Sequence, residues 1–256
     1  GQATKQGVLI KSGQALEIMG NVDCITFVKT GTLTYGNLEV SDIISFDNNI
    51  SEDKLLEYAT ISEVKSEHPI GKAIVNHAQN EGHNYSDPDE FTMIPGKGVK
   101  AVSNDDTIYS GTVKFMKENN MEITAEENSQ LDQLRFEGKV SIIVALNNKI
   151  IGIIGLSDVL RENAKAVVSS LENDLNTEVE LLTGDNHKAA NYFANKIGIK
   201  NIHSELLPEN KVEEIEKLKE SGKTVCMVGD GVNDAPALKT ANVSVAMGGM
   251  GSDIAI

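Results

Sequence analysis

Apolar positions along the 256-residue chain fall into two kinds of run. Three short, strand-like stretches, Cys24-Ile25-Thr26-Phe27-Val28, Glu178 to Leu182 and Thr224 to Val228, each lead into a polar, glycine-bearing loop. Those loops read Lys29-Thr30-Gly31-Thr32, Thr183-Gly184-Asp185 and Gly229-Asp230-Gly231. Runs of this length, bounded by turn residues, predict buried strands. Apolar residues at three- and four-residue spacing predict helices over Glu162 to Leu171, Lys188 to Ile197 and Lys211 to Lys219. Strands alternating with helices at this pitch imply βαβ units and a parallel sheet. Open sheets of that kind place their ligand sites beyond the carboxyl ends of the strands, where these three loops fall.

Between about Tyr35 and Gly152 the pattern changes. Two helices are expected first, near Asp53 to Val64 and Pro69 to Asn80, then short strands over Phe91 to Ile94, Val99 to Val102 and Thr107 to Ser110. Val140 to Leu146, the pair Asn147-Asn148 and Lys149 to Leu156 predict a hairpin, because Asn tolerates the positive φ that a two-residue turn needs. The expectation is an α/β domain built from residues 1–36 and 153–256, interrupted after its first strand by an α+β domain over 37–152.

Composition narrows the functions open to such a chain. With 38 acidic against 23 basic residues, a net charge of −15 and no Lys/Arg run, the long-range field repels nucleic acid and anionic membrane surfaces. The absence of Trp argues further against a base-stacking surface. Cys24 and Cys226, each inside an apolar run, read as reduced core thiols of a cytosolic protein. His77, His83, His187 and His203 lack metal-ligand spacing and read as surface residues. No stretch approaches the roughly 20 apolar residues of a membrane helix, and the start has no signal-peptide pattern, so the chain as given is expected to be soluble.

Asp230, on a sharp glycine-flanked loop, is a hard oxygen ligand suited to Mg²⁺, with Asp234 placed to support it. Thr183 offers a hydroxyl and Gly184 an unobstructed N–H to a phosphoryl oxygen. Taken in order, Val28-Lys29-Thr30-Gly31-Thr32-Leu33-Thr34, Thr183-Gly184-Asp185 and Gly229-Asp230-Gly231-Val232-Asn233-Asp234 resemble the signatures of the P-type ATPases over essentially the whole chain. The first match departs at one position, where Val28 stands in place of the family's phosphorylated aspartate. Ser66-Glu67-His68-Pro69 and Pro95-Gly96-Lys97-Gly98-Val99 are similar to the nucleotide-binding domain of the heavy-metal branch. The ending Ala246-Met247-Gly248-Gly249-Met250-Gly251-Ser252-Asp253 resembles that branch too, leaning toward zinc, cadmium or lead pumps.

That resemblance implies a haloacid-dehalogenase-like, doubly wound parallel sheet as phosphorylation domain, with an inserted α+β nucleotide-binding domain and with ATP and Mg²⁺ as cofactors. It implies a cytoplasmic portion of an integral membrane protein, whose partners are a transported heavy-metal cation, membrane helices beyond this chain and an actuator domain. By the same resemblance Lys29, Thr30, Thr183, Gly184, Asp185, Lys211 and Asn233 surround the phosphorylation position. The Thr30 carbonyl, Asp230 and Asp234 hold the metal, and Glu63, His68, Gly96, Gly98 and Thr112 hold the nucleotide. At Gly111-Thr112 the family usually has Gly-Asn, so a polar contact is shortened or lost. Many phosphatases of the same superfamily carry a second aspartate where this chain has Thr30, and a threonine is no general acid at neutral pH. With Val28, the chain is expected to bind nucleotide without forming an aspartyl phosphate. A superfamily phosphatase and a non-catalytic nucleotide sensor are the alternatives.

Overall fold

The computed structural model describes the backbone of residues 8–10 and residues 20–247. In chain order the elements are β1 (Val8–Ile10), β2 (Cys24–Val28), β3 (Thr34–Ser45), α1 (Glu52–Glu63), α2 (Pro69–Asn80), β4 (Glu90–Ile94), β5 (Gly98–Ser103) and β6 (Asp106–Gly111). They continue with α3 (Val113–Glu118), α4 (Ala125–Phe136), β7 (Val140–Leu146), β8 (Lys149–Leu160), α5 (Ala164–Asn173), β9 (Glu178–Leu182) and α6 (His187–Ile197). The last are β10 (Asn201–His203), α7 (Pro208–Glu220), β11 (Val225–Asp230), α8 (Ala235–Thr240) and β12 (Val243–Met247). Two compact units result, Gly1–Asn37 with Asp158–Ile256, and Leu38–Ser157.

The first unit is an α/β sheet in the order β1-β12-β11-β2-β9-β10, parallel except where β1 meets β12. All five residues of β2 are buried, which requires cover on both faces. Ile25 and Phe27 pack with Val168 of α5 and Ala194 and Ile197 of α6, whereas Val28 packs with Ile215 of α7 and Leu238 of α8. Helices on both faces of a parallel sheet make the doubly wound architecture. Register sets Val28 beside Leu182 and Phe27 beside Val228, so the loops after β2, β9 and β11 emerge side by side.

The second unit is an antiparallel sheet in the order β3-β8-β7-β6-β5-β4. Strand β7 shows why helices cover both its faces. Ile142 and Val144 join Leu55, Leu56 and Ile74 of α1 and α2, while Ile143 and Ala145 join Phe115, Leu131 and Leu134 of α3 and α4. The two-residue turn at Asn147-Asn148 closes the β7–β8 hairpin, with Asn147 at φ 55°.

The structure differs from the sequence reading at several places. The insertion opens with a strand, β3, because Leu38, Val40 and Ile43 pack against the sheet's helical cover. Helix α7 begins at Pro208, which puts Lys211 in its first turn. His203 is half-buried against Glu180, since β10 lies beside β9. Positions 248–253 of the terminal Gly/Met motif lie outside the described residues.

Candidate functional site

In the first unit, the loop after β2 must reverse direction at once, and Gly31 at φ 78° allows it. The loop is held from behind. Thr34 accepts from the Gly31 N–H at 3.2 Å and donates its hydroxyl to Asp158 Oδ2 at 2.6 Å, and Asp158 Oδ1 accepts from the Gly36 N–H at 2.9 Å. Lys29 forms an ion pair with Asp185, tying the first loop to the second. The Thr183 hydroxyl oxygen accepts from the Asp185 N–H at 3.1 Å, in a side chain that is almost fully buried. Gly184 is exposed beside the Leu206 carbonyl, which would lie 3.1 Å from an added Cβ.

The third loop is a self-bonded acidic turn. Asp230 accepts from the Val232 N–H at 2.8 Å through Oδ1 and from Asn233 Nδ2 at 3.2 Å through Oδ2. Its Oδ2 also faces the first loop, since a Cβ on Gly31 would come within 3.2 Å of it. Asp234, buried, accepts from the Asp230 N–H at 3.2 Å and pairs with Lys211 Nζ at 3.2 Å. Val28, 2% exposed, ends the central strand between these loops and offers no oxygen.

In the second unit, Glu63, His68, Gly96, Gly98 and Thr112 all line one cavity of about 540 Å³. His68 is the N-cap of α2, its Nδ1 accepting from the Ile70 N–H at 3.2 Å with Pro69 in the first turn, so the exposed ring is fixed at the cavity wall. Ile94-Pro95-Gly96-Lys97 closes by a 3.0 Å bond from Lys97 N–H to Ile94 carbonyl, with Gly96 at φ 74°. Proline second and a positive-φ glycine third are the needs of a type II turn. Gly98 faces Gly111 across the β5–β6 ladder, where a Cβ on either would meet a backbone oxygen at 2.2 Å. Thr112 caps α3, its Oγ1 accepting from the Phe115 N–H at 3.1 Å, which commits this side chain to the helix end.

Glu63 is 5% exposed at the end of α1. Burial raises its pKa from 4.5 to about 7, against a lowering contribution from a hydrogen bond with Ser66. Helix α2 approaches it closely because position 71 is glycine: a Cβ there would fall 2.5 Å from Glu63 Oε2.

Comparison with known proteins identifies the scaffold. A profile of haloacid dehalogenase-like hydrolases matches residues 22–242. The chain is 40% identical over 260 residues to the copper-transporting ATPase HMA5 of Oryza sativa subsp. japonica, covering 100% of this chain and 26% of that protein. A crystal structure of a zinc-transporting PIB-type ATPase in its E2.Pi state matches with TM-score 0.83 at 35% identity, over 94% of this chain and 38% of that one. The catalytic domain of the CPx-ATPase CopB-B, solved in connection with conformational changes upon nucleotide binding, matches with TM-score 0.69 at 34% identity, over 95% of this chain and 85% of that one. The chain belongs to the heavy-metal-transporting P-type ATPases. It spans about a quarter of the length of the plant ATPase it matches.

In this member of the P-type ATPase family the first unit carries the three signature loops and the second carries the cavity. Sequence reasoning missed Asp158, Gly71 and Ser141, and gave Ser66 no role beyond its place in the motif before Pro69. Asp158 lies 124 positions from the threonine it holds, and a lone aspartate before a helix gives no signal of that pairing. Ser66 and Gly71 flank the His68-Pro69 pair, and their part follows only from the approach of α2 to Glu63.

Proposed function

We propose that this chain is the ATP-binding and phosphorylation portion of a heavy-metal cation pump, and that Val28 leaves it able to bind nucleotide but unable to take a phosphoryl group. The observation that carries the binding half is the cavity of about 540 Å³ in the second unit. Its size lies within the range usual for small-molecule sites. Its walls are apolar at Ile70, Met93, Ile94, Val99 and Ile142, with a few polar groups at Glu63, Ser66, His68 and Ser141. A carboxyl with a pKa near 7 both donates and accepts near neutrality, which suits the mixed donor and acceptor edge of a purine. The exposed His68 ring offers a face for stacking.

The other half rests on chemistry. Transfer of the γ-phosphate requires an oxygen nucleophile, and a valine side chain has none. The donor set around position 28 suits a hard divalent cation only in part: Asp230 and the Thr30 carbonyl would hold Mg²⁺, with Asp234 acting through water because both its oxygens are engaged. When bound with a nucleotide, Mg²⁺ supplies positive charge to the phosphate oxygens. Lys29 and Lys211, each paired with an aspartate, orient the loops and moderate their acidic charge.

Calorimetric titration of the chain with a non-hydrolysable ATP analogue tests the binding half. Saturable binding that weakens in Glu63→Gln and His68→Ala is expected. No detectable heat at millimolar ligand would refute the reading. The relatives carry different metals in their names, copper in one and zinc in another, so the cation is assigned here only as a heavy metal.

A further inference from the structure

A second group of ligating side chains lies on the first unit, at the opposite end of β2 from the signature loops. Cys24 opens the strand and Val28 closes it, about 13 Å apart at the usual rise per residue. Register places Cys24 beside Glu178 and Thr26 beside Glu180. Because side chains alternate, Cys24, Glu178 and Glu180 project from the same face of the sheet. One donor atom from each lies within 4.8 Å of the others, and Cys24 Sγ donates to Glu180 Oε2 at 3.1 Å. Cys24 and Glu180 are buried, 0% and 4% exposed, so this is not a solvated acidic surface.

We propose that Cys24, Glu178 and Glu180 form a binding site for one borderline divalent cation of the zinc or cadmium class. Sulfur and oxygen donors on a tetrahedral ion of this class stand about 3.5 Å apart, given bonds of roughly 2.0 to 2.3 Å, so small side-chain adjustments close the set. A thiolate with two carboxylates selects zinc-like ions over Mg²⁺ or Ca²⁺, which avoid sulfur. Binding exchanges the thiol proton, released to solvent, for a metal–sulfur bond.

The supporting shell is present. His203 Nε2 lies 2.6 Å from Glu180 Oε1, and its Nδ1 lies 3.4 Å from Glu214, so the imidazole orients the buried carboxylate. Of the three ligands, Glu178 alone also forms part of the wall of a cavity of about 320 Å³, together with Glu172, Thr177 and Lys200. Positive charge already collects here, since Lys223 Nζ sits 2.5 Å from Glu178 Oε2. The Lys223 side chain is 36% exposed and can swing into solvent, whereas Cys24 and Glu180 are fixed by the sheet.

Titration of the metal-free chain with Cd²⁺ alone, followed by the ultraviolet charge-transfer band of a cadmium–thiolate bond, tests the proposal. One equivalent is expected to saturate the band. Cys24→Ser should abolish it, Cys226→Ser should keep it, and Lys223→Met should strengthen binding by removing the competing ammonium. His203→Gln should weaken the affinity about 10- to 100-fold, as loss of a ligand-orienting group does. No band with the unsubstituted chain, or a band that persists in a folded Cys24→Ser protein, overturns the site. If Cys24→Ser fails to fold, the surface variants decide, and an affinity unchanged in both His203→Gln and Lys223→Met overturns it equally.

Discussion

Restoring the carboxylate, Val28→Asp, places opposing demands on stability and chemistry. Val28 is 2% exposed and packs with Leu182, Met227, Ile215 and Leu238. Losing that contact costs about 1.5 to 3 kcal/mol. The new charge would stand in a loop cluster already containing Asp230 and Asp234, and the neighbouring cations are committed, Lys29 to Asp185 and Lys211 to Asp234. Together these effects should destabilise the protein by about 2 to 4 kcal/mol without a divalent ion, lowering the melting temperature by roughly 5 to 15 °C. Mg²⁺ that binds only the folded form returns about 2.7 kcal/mol at a hundredfold excess over its Kd. Thermal melts in EDTA and in Mg²⁺ should therefore diverge for Val28→Asp far more than for the parent chain. The same variant, incubated with γ-labelled ATP and Mg²⁺, should acquire acid-stable, hydroxylamine-sensitive label. A variant that melts with the parent chain in EDTA, gains nothing from Mg²⁺ and takes up no label would refute the placement of position 28 in a phosphoryl-transfer site.

Three further outcomes follow from the packing. Because the folded pKa of Glu63 is raised from 4.5 to about 7, its neutral form is retained at acid pH, and a penalty accrues as pH rises from 4.5 and levels off above about 7, reaching about 3 kcal/mol. Glu63→Gln should therefore gain melting temperature relative to the parent between pH 5 and pH 8, and a constant difference across that range would contradict the burial argument. Gly71→Ala forces a Cβ to within 2.5 Å of Glu63 Oε2 and should cost about 1 to 3 kcal/mol in urea unfolding while weakening nucleotide binding in calorimetry. Lys211→Met strands the buried Asp234 carboxylate and should cost about 1 to 3 kcal/mol, and adding Asp234→Asn should recover part of that loss in a double-mutant cycle.

Strands buried on both faces were legible in the sequence as short, mostly apolar and β-branched runs that end at a glycine-bearing loop, as in Cys24 to Val28 and Glu178 to Leu182, although Thr26 and Glu180 stand inside them. The half-exposed strand β3 was not, since Glu39, Ser41 and Asp42 interrupt its apolar positions. Strand β10, three residues long, is too short for any period to show. Helix α4 did carry a readable signal, the capping box of Thr124 and Glu127 with bonds of 3.1 Å each way. Its low apolar content concealed it. At the candidate sites, the signature loops announce themselves by composition, whereas the Glu63 environment does not. Its character depends on Gly71 in the next helix and on the depth of the cavity, neither of which one residue's identity reveals.

The insertion itself bears on how the polypeptide reaches its native state. After β2 and the start of β3, the chain leaves the first unit and returns only at Asp158, so β2 waits for β9 and β11, its neighbours in the finished sheet. The second unit is continuous in sequence, and β3 and β8, the strands at its two ends, lie side by side. It can therefore complete its own sheet first and act as a preformed clamp that brings Asn37 and Asp158 together, sparing the first unit most of the entropy of closing so long a loop. An isolated 38–157 segment should fold cooperatively by itself, with dispersed amide resonances. Excising it and joining the flanks by a short linker should preserve the parallel sheet, whereas an unfolded insertion should slow assembly of the sheet around it.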